Sequence, residues 1–220
     1  MNEAIAAELV EELKQQHKKI ASAESLTGGM ISQFITGVPG ASEVFECGIC
    51  SYSNRIKQEV LGVSEETLLV DTEYSRQCAA QMAQGVCRLS GADIGLSTTG
   101  IAGPGGGTEE KPVGLVYVAV SNGNHSIIKE LHLGSDAGSP QEHQREQIRR
   151  MAAYEVLKMA LLLLQGKITF DENGKDSGFS SDKRTVGTVQ LEFTPMKLVG
   201  YEDDEAGSSL GLDNGKFTCD

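Results

Sequence analysis

Apolar residues Ile5, Leu9 and Leu13, with Ala6 and Val10 beside them, recur at helical spacing over positions 3–16, which predicts an amphipathic first helix. The stretch KKIASAES at 18–25 reads as a strand, after which Thr27 stands before Gly28, Gly29 and an apolar-periodic run to Ile35. That order marks a strand-to-helix turn with Thr27 as N-cap, and it leaves Ser25 at the mouth of the turn. Residues 44–52, apolar and bounded by polar clusters, read as a second strand, 54–61 as a short helix and 64–69 as a further helical turn. Apolar and small residues return at helical spacing over 72–89, a buried strand follows at 93–98, and the glycine-rich run GIAGPGGGTEEKP comes directly after it. Strands at 114–120 and 126–132 flank Ser121-Asn122-Gly123-Asn124, whose Asn-Gly pair predicts an antiparallel hairpin. A long helix over 140–164 ends with Gly166 as its C-cap. Strands alternating with helices predict an α/β fold, a three-layer sandwich built on a mixed β-sheet.

Beyond Gly166 the pattern changes. Residues 167–220 carry 11 acidic and 6 basic residues, many Gly and Ser, and only short β-like pieces such as 186–193. The reading is one catalytic domain over 1–166 and a separate acidic extension over 167–220, partly disordered or folded as a hairpin against the domain. A formal net charge of −12 argues against a nucleic-acid binder, so an anionic substrate must be met by local cations. The N-terminal residues lack the apolar core of a signal peptide, and the longest apolar run, 159–164, is too short to span a bilayer. The expectation is a cytoplasmic protein without membrane association. Cys47, Cys50, Cys78, Cys87 and Cys219 show no disulfide-framework spacing. Cys47 and Cys50 form a C-x2-C pair, but no second pair or His-rich segment completes a zinc site, so they are read as buried structural thiols.

Three segments carry chemistry: AESLTGG at 23–29, SYSNRIK at 51–57, and TGIAGPGGGTEEKPVG at 99–114. Together they resemble the C-terminal domain of the competence/damage-inducible protein CinA, whose stand-alone members are nicotinamide-nucleotide amidohydrolases. The resemblance covers about residues 3–165 and rests most heavily on the long third segment. It implies hydrolysis of nicotinamide mononucleotide to nicotinate mononucleotide and ammonia in pyridine-nucleotide salvage, with no metal and no organic cofactor, by an oligomer. The apolar 44–45 region is a candidate for the contact between subunits.

A serine at a strand-to-helix turn exposes its hydroxyl beside unpaired helix amides, which makes Ser25 the candidate nucleophile. The amides of Thr27, Gly28 and Gly29 can serve an oxyanion or a substrate phosphate, and Ser25 and Thr27 can equally be plain helix caps. No histidine falls within the three segments, and the matching family position makes Lys57 the base of a Ser-Lys pair. That role needs burial or a cationic neighbour, for which Arg55 is a candidate, to lower the lysine pKa. Tyr52 can hydrogen-bond the nucleophile, the lysine or the substrate, or serve as a core residue. The third segment is not a P-loop, since Lys111 precedes Pro112 and the chain leads into a strand. Its Gly100, Ile101, Ala102 and Gly103 can approach a ribose phosphate or pyridine ring, with Thr108 and Lys111 as polar contacts. Arg145 and Arg149, one helical turn apart, resemble a phosphate-clamping pair, although His143-Gln144 stand where the family pattern has Gly-Asp. The alternatives are a member that binds a nucleotide or protein partner without turnover, and an enzyme for another phosphorylated amide.

Overall fold

The computed structural model describes residues 2–133, 141–170 and 187–188. In chain order the elements are α1 (Asn2–Gln15), β1 (Ile20–Glu24), α2 (Met30–Thr36), β2 (Phe45–Cys50), α3 (Asn54–Leu61), α4 (Arg76–Ser90), β3 (Ile94–Gly100), β4 (Leu115–Ser121), β5 (Ser126–His132), α5 (Gln141–Leu164) and the two-residue β6 (Gly187–Thr188). The sheet runs β2-β1-β3-β4-β5-β6. β1 pairs in parallel with β2 and β3, whereas β3, β4, β5 and β6 pair antiparallel in succession. The mixed α/β sheet expected from the pattern is the one observed.

Alternation along β4 explains the layers. Val116, Val118 and Val120 point into a core shared with Leu9 and Leu13 of α1, Ile31 and Ile35 of α2, and Val156 and Leu157 of α5. Ala119 and Tyr117 point to the other face, where Ala79, Ala80 and Ala83 of α4 meet Ile128. Small residues let α4 lie close. A Cβ on Gly95 would sit 2.2 Å from the Ala83 carbonyl, and one on Gly85 would sit 2.0 Å from the Leu61 carbonyl at the end of α3.

Local signals end the helices. Ser53 and Ser75 accept from the amides of Ile56 and Cys78, and Gly62 and Gly91 close α3 and α4 in the left-handed conformation. After α5, Gly166 has φ 67 and its amide reaches the Leu163 carbonyl while that of Lys167 reaches Leu162, a Schellman closure.

Three expectations shift. The fourth helix starts at Arg76 rather than 72, because Thr72 adopts φ 72 and ψ 169, which no helix admits, leaving 72–75 as a loop. Val44 is buried and Phe45 is half-buried against the same core, so less of the 44–45 region is exposed than its apolar pattern suggests. Cys50 is exposed and Cys47 half-buried, because β2 is an edge strand with a partner on one side only. Of the acidic extension, Gly187–Thr188 adds to the free edge of β5; residues 171–186 and 189–220, with the 201–205 acidic cluster, lie outside the described residues. Among the described residues no helix is long and apolar enough to cross a membrane.

Candidate active site

The three parallel strands end together: Glu24 at the end of β1 pairs with Cys50 of β2 and Thr98 of β3. Segments leaving those ends therefore converge, as ligand sites in parallel sheets commonly do. Ser25 follows β1, and its amide donates to the Thr98 carbonyl at 3.0 Å, which fixes the residue to the sheet. Lys57 comes from α3, entirely buried at 1% exposure, and its Nζ donates to Ser25 Oγ at 3.0 Å and to the Ser51 carbonyl at 2.9 Å. Burial pushes the Lys57 ammonium below the usual lysine range, opposed by the nearby Glu73 carboxylate. Cys78 itself is pushed up to about 12 by burial, so it remains a thiol. Arg55 supplies no cation here; it is exposed on α3 and pairs with Glu59. A lysine that has lost its proton can accept the Ser25 hydrogen, the arrangement that a serine nucleophile and its base require.

A residue that the sequence pattern did not single out holds the turn. Glu24 is fully buried, and its carboxylate accepts from the amides of Gly29 (2.9 Å), Ile31 (3.0 Å) and Ser32 (2.9 Å) and from Ser32 Oγ (2.8 Å). The α2 N-terminus is thus already neutralised by an internal anion. The Gly29 amide is therefore unavailable to a substrate, and that of Gly28 reaches back to the Ser25 carbonyl. Thr27 is no cap either. Gly29, at φ 94, occupies the cap position, and Thr27 Oγ1 is bonded to Thr98 Oγ1 in the core at 2.7 Å. Among the described residues the amides of Leu26 and Thr27 donate to no protein group.

Ser25 and Lys57 open into a solvent-open pocket of about 140 Å³. Gly100, Ile101, Ala102 and Gly103 form one wall, and Tyr52 with Arg145 forms the rim. Gly100 must be glycine here, since a Cβ at its φ of 153 would lie 2.5 Å from the Leu115 carbonyl. Arg145 donates to the Gly103 carbonyl and, at 3.0 Å, to the Tyr52 hydroxyl. Tyr52 is 64% exposed, so it is neither a core residue nor bonded to Ser25 or Lys57. Its phenol belongs to the arginine side of the pocket. Arg149 does not join Arg145 as a clamp. Its guanidinium donates to the carbonyls of Leu26 (3.0 Å) and Thr27 (2.7 Å) and braces the turn from outside the pocket. Thr108 and Lys111 also lie outside it. Thr108 Oγ1 accepts the Lys111 amide, and Lys111 Nζ ties the glycine-rich loop to the Asp71 carbonyl and Thr72 Oγ1.

The pattern of the CinA C-terminal domain matches residues 2–164. The chain belongs to that family. A "CinA-like protein" of Desulfovibrio desulfuricans is 48% identical over 157 residues, covering 70% of this chain and 35% of its own length. A "Putative competence-damage inducible protein" of Acetivibrio thermocellus is 46% identical over 150 residues, covering 67% and 34%. This CinA domain thus spans about a third of those relatives. Among solved structures, the competence/damage inducible protein CihA of Agrobacterium tumefaciens superposes with a TM-score of 0.68 at 38% identity, covering 74% of this chain and 95% of the other. A CinA superfamily protein of Klebsiella pneumoniae gives 0.69 at 24% identity, which supports the fold alone.

Within this CinA domain, Glu73 and Tyr74 also line the pocket although the pattern placed them inside a helix. The local signal that would have found Glu24 was present, an acid at the end of β1 five positions ahead of the Gly29 cap. For Glu73 and Tyr74 no local signal exists, because only the 72–75 loop turns them inward. Ser51 Oγ, beneath Lys57, is buried with no partner among the described residues.

Proposed function

We propose that this chain is a hydrolase of carboxamides, a nicotinamide-nucleotide amidohydrolase that converts nicotinamide mononucleotide to nicotinate mononucleotide and ammonia. The observation that carries the reading is the buried Lys57 amine 3.0 Å from Ser25 Oγ at the floor of a pocket. Neutral Lys57 takes the Ser25 proton as Oγ attacks the carboxamide carbon. The unpartnered amide of Leu26, which lines the pocket, receives the developing oxyanion. Lys57 then returns the proton to the amide nitrogen, the C–N bond breaks, ammonia leaves, and an acyl ester remains on Ser25. Water, deprotonated by the same amine, attacks the ester, and Ser25 departs with a proton to leave a free carboxylic acid. Arg145 and the Tyr52 hydroxyl at the rim meet the substrate phosphate.

The test is turnover of nicotinamide mononucleotide with chelator present, following ammonia and nicotinate mononucleotide. Ser25→Ala and Lys57→Ala should each lower kcat by about a thousandfold or more, as loss of a nucleophile or its base does elsewhere. Activity that survives Ser25→Ala sinks the nucleophile assignment.

A further inference from the structure

Two pocket residues have no part in the Ser-Lys chemistry: Glu73 and Tyr74. The loop that presents them is constrained. Thr72 combines a branched Cβ with φ 72 and ψ 169, a region such a residue enters only when its surroundings force it. Lys111 Nζ holds Thr72 Oγ1 and the Asp71 carbonyl, Ser75 Oγ holds the Thr72 carbonyl, and Thr99 Oγ1 holds the Glu73 carbonyl. The loop is pinned to the glycine-rich segment, to α4 and to β3, and both residues that follow Thr72 line the pocket.

Glu73 lines the pocket, and its charge is felt by Lys57 on α3, by Cys78 on α4 and by the Tyr74 phenol. Among the described residues it forms no ion pair with any Lys, Arg or His. Glu73 is half-buried and shares a side-chain hydrogen bond with the Tyr74 phenol, and a pocket carboxylate with no counter-ion attracts an occupant that brings positive charge. Tyr74 lines the same pocket, and a tyrosine face attracts cations in the same sense. At the other end Arg145 calls for an anion. The pocket is therefore polarised, with a negative aromatic wall near the Ser25 floor and a positive rim.

We infer that Glu73 is a specificity-determining residue that reads the charge of the substrate's ring. The pocket selects a carboxamide borne on a cationic, N-substituted heteroaromatic ring over the same amide on a neutral ring. This rests on the amidohydrolase reading and adds to it the residue that distinguishes a pyridinium from an uncharged arene of the same shape. Glu73 neither gives nor takes a proton in the reaction.

The experiment measures calorimetric Kd values on the Ser25→Ala chain, which cannot turn substrate over, for two nucleotides. One is nicotinamide mononucleotide; the other is its benzamide counterpart, with a neutral phenyl ring and the same amide, ribose and phosphate. We expect the pyridinium to bind at least about tenfold tighter. Glu73→Gln on that background should bring the two within about threefold, mainly by weakening the pyridinium, and Glu73→Asp should restore part of the preference. A melting temperature unchanged by Glu73→Gln shows that the fold is intact. Equal binding of both nucleotides to the Ser25→Ala chain, or a preference that Glu73→Gln leaves untouched, overturns the inference while the amidohydrolase reading stands. If neither nucleotide binds and the unsubstituted chain releases no ammonia, the amidohydrolase reading falls and takes the inference with it.

Discussion

Lys57 sets its own pH dependence. Burial lowers its pKa in the folded chain below the 10.5 of an exposed lysine. Between the two values the unfolded chain binds the extra proton, so folded stability rises with pH across that window and levels off once the unfolded lysine is also neutral. Lys57→Met has no such term. We expect the stability of the wild type relative to Lys57→Met, followed by urea unfolding, to increase from neutral pH toward 10.5. A flat difference would mean that Lys57 is not desolvated. In the proposed mechanism the same shift places the acid limb of kcat/KM below 10.5, since there only the neutral amine can take the Ser25 proton. Glu24 acts at the same scale but through structure. Glu24→Ala strands the amides of Gly29, Ile31 and Ser32, and an unmet buried donor costs about 1–3 kcal/mol. Glu24→Gln also fails, because both carboxylate oxygens accept bonds and an amide nitrogen cannot replace either. Both variants should melt lower than the wild type, and Gln should not rescue Ala.

At the scale of elements, the reach of Lys57 to Ser25 depends on how α3 is seated, and Gly85 seats it. A Cβ there would stand 2.0 Å from the Leu61 carbonyl, so Gly85→Ala must push α3 away from α4. Overpacking of this kind costs about 1–3 kcal/mol, measurable by urea unfolding. Because α3 carries Lys57, kcat should fall as well; a variant that loses stability and keeps full kcat would detach the site from this packing. The elements themselves were largely legible. Helical spacing located α1, α3 and α5, and Asn122-Gly123 located the β4–β5 hairpin, because these depend on residues within a few positions of one another. The start of α4 was missed because Thr72 is held out of the helical region by Lys111, which lies 39 positions away. The Thr27 cap was missed for a related reason, since Thr98 on β3 takes its hydroxyl.

For the whole molecule, the main core draws on residues from Ala6 to Ile168, with Phe170 packed against it. We propose that the domain ends there. A chain cut after Phe170 should keep its activity and melt within about 4 °C of the full length, the effect of about 1 kcal/mol in a chain of this size. The edge pairing of Gly187–Thr188 with β5 is the described contact that such a chain loses. A larger drop would assign the extension a part in the fold.

Local order alone determined the α/β class, the succession of elements, and the three segments that meet at the site, because periodicity, turn residues and motif spacing are short-range properties. Which members of those segments touch the pocket was decided by the sheet and its layers. Arg145 and Arg149 are one turn apart on α5, yet Arg145 meets the Tyr52 hydroxyl at the pocket rim and Arg149 the carbonyls of the Ser25 turn. The Gly29 amide looked open to a ligand until the packing of β1 against α2 brought Glu24 onto it. Glu73 became a pocket residue only through contacts from β3, α4 and the glycine-rich loop. Apart from Glu24, five positions from Gly29, partners of this kind are supplied by chain distant in sequence, and no local pattern records them.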